Sequence, residues 1–262
     1  MANEVVKSFS EKLTDKLVAE EMALPKNFNR ERFVRNCLTV MNEKPELARI
    51  NKAEVIQGLC KGAYLGLDFF MGECYLVPYQ NKIRFQTDYK GEVKYVKKYS
   101  TRPIEDLYAQ VVREGDFFEV KIADGRSSVN FKPLPFNGND IIGAFAVVLY
   151  KDGGMRYEEM SAAEINSVRN VYGSAPNSKA WKSSWGEMAK KTVIRRLCKH
   201  IDKSFESTEA KMAWEEGAET NITVAERSEE LVDAFAEEEV IDVDFREVEE
   251  DVSDMPDVDV FK

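Results

Sequence analysis

The sequence predicts an α+β fold followed by an acidic tail. Three observations carry this: helical spacing of apolar residues towards both ends, strand-like runs between Asp-Gly turns in the middle, and a collapse of large apolar residues beyond about 205. Residues 1–29 read as a loosely attached N-terminal arm whose helical part ends at Pro25. A helix is expected from about Arg30 to Met41, with Phe33, Cys37 and Val40 or Met41 on one face, before Pro45 interrupts. Asn51 with Glu54 opens a second helix as a capping-box variant. Val55, Leu59, Ala63 and Tyr64 form its core stripe, and Gly66 ends it.

The period then changes. Cys74–Tyr79 and Ile83–Thr87 flank a polar Gln80-Asn81-Lys82 turn and read as a β-hairpin. Arg84, Gln86 and Asp88 alternate with Ile83, Phe85 and Thr87 on its second strand. A short helix over about 89–99 follows, with Tyr89, Val93 and Val96 as its core face. Strands are expected near 104–113, 116–122, 127–132, 140–150 and 155–160, with Asp124-Gly125 and Asp152-Gly153-Gly154 supplying the positive φ that tight turns need. Ser161 and Glu164 cap a helix to about Asn170, 173–178 is a loop, and a long helix covers 180–202. The folded core is expected to span 30–205. Residues 206–262 form a largely disordered tail in which Ala210–Trp214 and Leu231–Phe235 remain as short amphipathic pieces suited to a partner.

Charge is divided along the same lines. Residues 1–204 carry 33 Lys+Arg against 26 Asp+Glu, and residues 205–262 carry 4 against 21. Residues 1–79 balance at 11 each, so the excess lies within 80–204. A basic surface among aromatics favours a polyanion, because each neutralised phosphate releases condensed counterions. The remaining composition excludes more than it assigns. There is no apolar stretch of membrane-spanning length, and the charged N-terminus lacks a signal core, so a cytoplasmic protein is expected. Cys37, Cys60, Cys74 and Cys198 form no CxxC pair and His200 is the sole histidine, which disfavours zinc and leaves four reduced core thiols. No cofactor is implied. A GxxxxGK[ST] phosphate loop is absent, arguing against an ATP-driven recombinase, and no GxSxG or nucleophilic triad is evident.

The sharpest local pattern is YKGEVKYVKK, residues 89–98. On a helix Lys90, Lys94, Lys97 and Lys98 share one face, and their mutual repulsion would be relieved by phosphates. Arg84 and Gln86 on the preceding strand could reach phosphate or base edges. Further on, Lys190, Lys191, Arg195, Arg196 and Lys199 stud the long helix. All five are candidate DNA-binding residues. Their spread around the helix means some must serve salt bridges or exposed charges, and Lys191, Arg195 and Lys199, on an i, i+4, i+8 line, are the better phosphate candidates. Trp181 and Trp185, one turn apart, are either core residues or stacking platforms for bases, as Tyr75, Tyr79, Tyr89, Tyr95 and Tyr99 also could be. One enzymatic pattern competes. Asp106 with Glu119-Val120-Lys121 resembles the acidic-plus-ExK arrangement of Mg²⁺-dependent nucleases, in which carboxylates hold the metal and lysine steadies the attacking water.

The runs GLDFFMGECYLVPYQNKIRFQTDYKGEVKYV (66–96), AQVVREGDFFEV (109–120), IIGAFAVVLYKDGG (141–154), EEMSAAEI (158–165) and WKSSWGEMAKKTVIRRLCKHI (181–201) resemble, in order, the RecT family of phage and prophage single-strand annealing proteins. The resemblance implies ATP-independent binding of single-stranded DNA and annealing of complementary strands, without enzymatic turnover. It also implies assembly into rings or filaments, and work beside a 5′→3′ exonuclease and the host single-strand-binding protein. The family's basic and aromatic stretches correspond to Arg84–Lys98, Arg113 and Trp181–Lys199.

Overall fold

A computed structural model describes residues 8–79, 82–172, 177 and 179–218. The helices are α1 (Phe9–Ala19), α2 (Arg30–Glu43), α3 (Lys52–Leu65), α4 (Tyr89–Tyr99), α5 (Ala162–Tyr172), α6 (Lys179–Ser183), α7 (Trp185–His200) and α8 (Thr208–Ala218). The strands are β1 (Cys74–Tyr79), β2 (Lys82–Thr87), β3 (Ile104–Arg113), β4 (Phe117–Ala123), β5 (Arg126–Lys132), β6 (Ile141–Tyr150) and β7 (Met155–Ser161). The α+β expectation holds, and every strand pairing is antiparallel: β1 with β2, β4 with β5, and a sheet in the order β3-β6-β7.

The β6 strand is buried along both faces, and its run GAFAVVL shows why. One face, through Ala144, Ala146 and Val148, joins the main core beneath α7, which crosses β3, β6 and β7. The other face, through Phe145 and Val147, is covered by the β4–β5 hairpin, whose Phe118 and Phe131 rings lie 4.9 and 5.1 Å from the Phe145 ring. Local chemistry fixes the turns and caps. Asp124 and Gly125 both take positive φ (50° and 72°) between β4 and β5. Gly66 takes the left-handed cap of α3, and Ser161 and Glu164 exchange the two bonds of a capping box. Asn51 caps α3 through the Ala53 amide. All four cysteines are buried and free, and burial pushes the Cys60 thiol up to about 12. The Gln80-Asn81 turn, the 173–178 loop apart from Asn177, and the tail beyond 218 with Leu231–Phe235 lie outside the described residues.

Four expectations need correction. The N-terminal arm is no loose appendage: α1 opens on a Ser8/Glu11 capping box and buries Leu13 and Leu17 completely against α2 and α3. The core does not stop at 205. In α8 the i, i+3, i+4, i+7, i+8 series Ala210, Ala213, Trp214, Gly217, Ala218 is buried on α3 and β2. Its small residues let the helix approach closely; a Cβ on Gly217 would come within 2.7 Å of the Phe85 ring. The helix expected over 180–202 is two helices broken at Ser184, next to a Ser183 hydroxyl that bonds back to the Lys179 carbonyl. Finally, α4 turns Glu92, Tyr95 and Val96 into the core, with Tyr89 and Val93 only partly covered. The Tyr95 ring stacks on Trp214, centroids 5.0 Å apart, so α8 dictates that orientation.

Candidate nucleic-acid interface

The register of β1 with β2 sorts the hairpin into two faces. Cys74, Leu76, Phe85 and Thr87 point into the core, while Tyr75 opposite Gln86 and Val77 opposite Arg84 share the outer face. The hairpin leads directly into α4 through Asp88, whose carboxylate caps the helix at the Lys90 amide. Gly91 allows the close fit here: a Cβ at this position would fall 2.2 Å from the Glu73 carbonyl oxygen. The Lys90 ammonium is consequently held on the exposed first turn of α4, with no ion pair among the described residues.

Beside it, Tyr89 reaches α7, where the Lys191 ammonium sits 5.1 Å from the phenol ring. Behind that contact lies the junction of the two basic helices. Glu92 is fully buried. Its Oε1 accepts the Thr87 hydroxyl at 2.8 Å and faces Arg195 Nη2 at 3.0 Å, while Thr87 Oγ1 also lies 2.9 Å from the Gly217 carbonyl. Glu92 Oε2 and Arg195 Nε are buried without hydrogen-bond partners. Burial raises the Glu92 pKa, opposed by Arg195, the Thr87 hydrogen bond and Lys199. This network joins β2, α4, α7 and α8, so it sets the spacing of the surface cations.

The sequence-expected residues therefore divide. Lys90, Lys97, Lys98 and Lys199 are exposed on α4 and α7, and Arg84, Gln86, Tyr89 and Lys191 are half-buried beside them. Lys94 turns to Glu73 at 2.6 Å and Lys97 to Asp106 at 3.9 Å, so carboxylates relieve part of the expected lysine repulsion. Lys98 lies 4.7 Å from the Tyr99 ring. Arg195, read as a phosphate ligand, is a structural cation with its side chain 24% exposed. Arg196 pairs with Glu158 at 2.7 Å and Lys190 with Glu187 at 2.6 Å. Arg113, at the end of β3, donates to the Asn139 carbonyl in the loop before β6. Trp181 is 8% exposed, with the Arg169 guanidinium 5.5 Å from its ring, and offers no open face to a base. Trp185 is half-buried, its indole N–H donated to Asn166 at 3.0 Å. Trp181 thus joins the core, while Trp185 keeps part of its surface in solvent. Sequence reasoning missed Glu92 as a core anchor because a carboxylate in a lysine-rich helix reads as solvated. The buried Thr87 beside it was the available signal.

The nuclease constellation does not assemble. Asp106 lies on β3 facing Lys97, whereas Glu119 lies on β4 paired with Lys121 at 2.9 Å, in a different sheet. Among the described residues no group of three His, Cys, Asp or Glu side chains is placed to hold a metal ion. None of the described helices is long and apolar enough to cross a membrane.

The chain is 30% identical over 194 residues to Protein RecT of Escherichia coli strain K12, covering 70% of this chain and 71% of that protein. It is 24% identical over 206 residues to the uncharacterized protein YqaK of Bacillus subtilis strain 168, covering 77% and 70%. The RecT family model matches residues 31–247. The chain belongs to the RecT family, and with it to the proteins of DNA recombination and strand annealing.

Proposed function

We propose that the protein binds single-stranded DNA along the outer face of β1–β2 and the adjoining surface of α4 and α7, and anneals complementary strands without ATP. The observation that carries this reading is the placing of Arg84 and Gln86 on the outer face of a hairpin that leads into Tyr89 and Lys90 of α4, with Lys191 beside Tyr89 over a junction fixed by Glu92, in a chain of the RecT family. Lys97, Lys98 and Lys199 extend the positive surface. Annealing requires no bond chemistry, since stacking contributes about 1.4 kcal/mol per base-pair step once strands are in register. The protein's part is to neutralise strand repulsion and suppress hairpins while base edges remain available. As membership of the RecT family implies, the active species is a homo-oligomer, ring or filament, working with a 5′→3′ exonuclease and the single-strand-binding protein of the bacterial host.

The test is a salt titration of oligothymidylate binding. Lys90→Ala, at an exposed side chain, should lower the slope of log K against log[salt] by about 0.7, the value for one single-strand phosphate contact. An unchanged slope refutes Lys90 as a phosphate ligand. Lys94→Ala should change it less, because the Lys94 ammonium is already paired with Glu73.

A further inference from the structure

With Trp181 buried and Trp185 half-buried, the cations of the proposed DNA surface need exposed side chains beside them to hold bases. The loop between α3 and β1, together with the start of β1, supplies such side chains. Phe70 is 52% exposed, Met71 58% and Tyr75 36%. Large apolar side chains at such exposure need an explanation where the backbone beneath is held firmly, as it is in this loop. The Asp68 carboxylate accepts the Phe70 and Met71 amides through Oδ1 at 2.9 and 3.3 Å, and the Asn36 amide through Oδ2 at 2.7 Å. Glu73 accepts the Asp68 amide at 2.9 Å and the Lys94 ammonium at 2.6 Å, tying the loop to α4. Gly72 takes φ +67°, and its carbonyl accepts the Tyr75 hydroxyl at 3.1 Å, which lays that ring against the turn. The Lys44 ammonium sits 5.4 Å from the same ring.

The geometry points to a base-stacking platform, formed by Phe70, Met71 and Tyr75 beside Lys44, that takes the unpaired nucleobases of a single strand. This rests on the DNA-binding reading above and extends it from phosphates to bases. Three things favour nucleobases over an apolar protein segment. The platform is continuous with the hairpin face, because Tyr75 is the cross-strand neighbour of Gln86. Lys44, 5.4 Å from the Tyr75 ring, supplies a cation suited to the phosphate beside a stacked base. And its members are flat or polarisable groups on a rigid turn, so little ordering is required when a base arrives.

The test compares oligothymidylate with an abasic oligomer of equal length. Phe70→Ala/Met71→Ala should weaken thymidylate binding by about tenfold or more while leaving abasic binding and the salt slope unchanged. Phe70→Trp should retain thymidylate binding. Phe70→Leu, which keeps apolar bulk without a ring, should fall between them and guards against a misfolded double variant; equal urea midpoints confirm the fold. Unchanged thymidylate binding by the double variant, or an equal loss on both oligomers, overturns the platform while leaving the cationic site intact. A wild-type protein that binds neither oligomer at low salt overturns the DNA-binding reading and the platform with it.

Discussion

Replacing Arg195 by Met should destabilise the fold severely, and the loss should depend on pH. The guanidinium is the cation facing Glu92 Oε1, at 3.0 Å, and Glu92 is fully buried with its Oε2 unbonded. Without Arg195, the carboxylate keeps the Thr87 hydroxyl as its hydrogen-bond donor among the described residues, with Lys199 a more distant cation. Removing one partner of a buried ion pair costs about 3–5 kcal/mol. Burial already raises the Glu92 pKa above its ordinary value. The folded state therefore binds a proton more readily than the unfolded chain does. The stability this contributes is complete below the unfolded carboxylate pKa and is lost as pH rises through the folded value. Arg195→Met raises the folded value further, so its deficit should shrink on acidification by up to about 1.4 kcal/mol per pH unit. The assay is urea unfolding followed by tryptophan fluorescence at neutral and mildly acidic pH, with Glu92→Met/Arg195→Met as a partner variant. The double variant should recover most of the loss, since it buries no charge. A loss below about 1 kcal/mol, or one independent of pH, would refute the buried-pair reasoning.

Other outcomes follow from packing. A chain ending at residue 218 should fold with unchanged core stability, whereas one ending at 207 loses α8 and uncovers Tyr95, and thermal melting separates the two. Trp214→Ala should cost about 3–5 kcal/mol in urea unfolding by creating a cavity against Tyr95. Gly91→Ala places a Cβ where the Glu73 carbonyl stands. It should cost about 1–3 kcal/mol and weaken single-strand binding by displacing α4; a variant as stable as wild type would show that α4 can shift freely.

Local signals carried the elements of this fold well. Asp124-Gly125, Gly66 and the Ser161/Glu164 box act within a few residues, so the sequence alone makes them legible, and the alternation in β2 correctly turned Arg84 and Gln86 outward. What escaped depends on contacts distant in sequence. The pairing of β3 with β6 skips the whole β4–β5 hairpin, and no local pattern announces it. The inward turn of Glu92 requires Arg195 about a hundred residues on, and the burial of α8 requires Phe85 and Tyr95 to receive small residues and one tryptophan. The cationic residues were legible as a set, but not their division into surface and structural charges. An arginine committed to a buried carboxylate and a lysine open to solvent look alike in a sequence. Phe70 and Met71 were invisible for the opposite reason, since exposed apolar side chains on a turn mimic a buried run.

The central claim is tested most directly by mixing two complementary fluorescent oligonucleotides with the protein, without nucleotide, in EDTA and again with Mg²⁺. Pairing should be accelerated in both, with both strands intact. No acceleration and no binding at low salt would contradict the account, as would strands shortened only when Mg²⁺ is present.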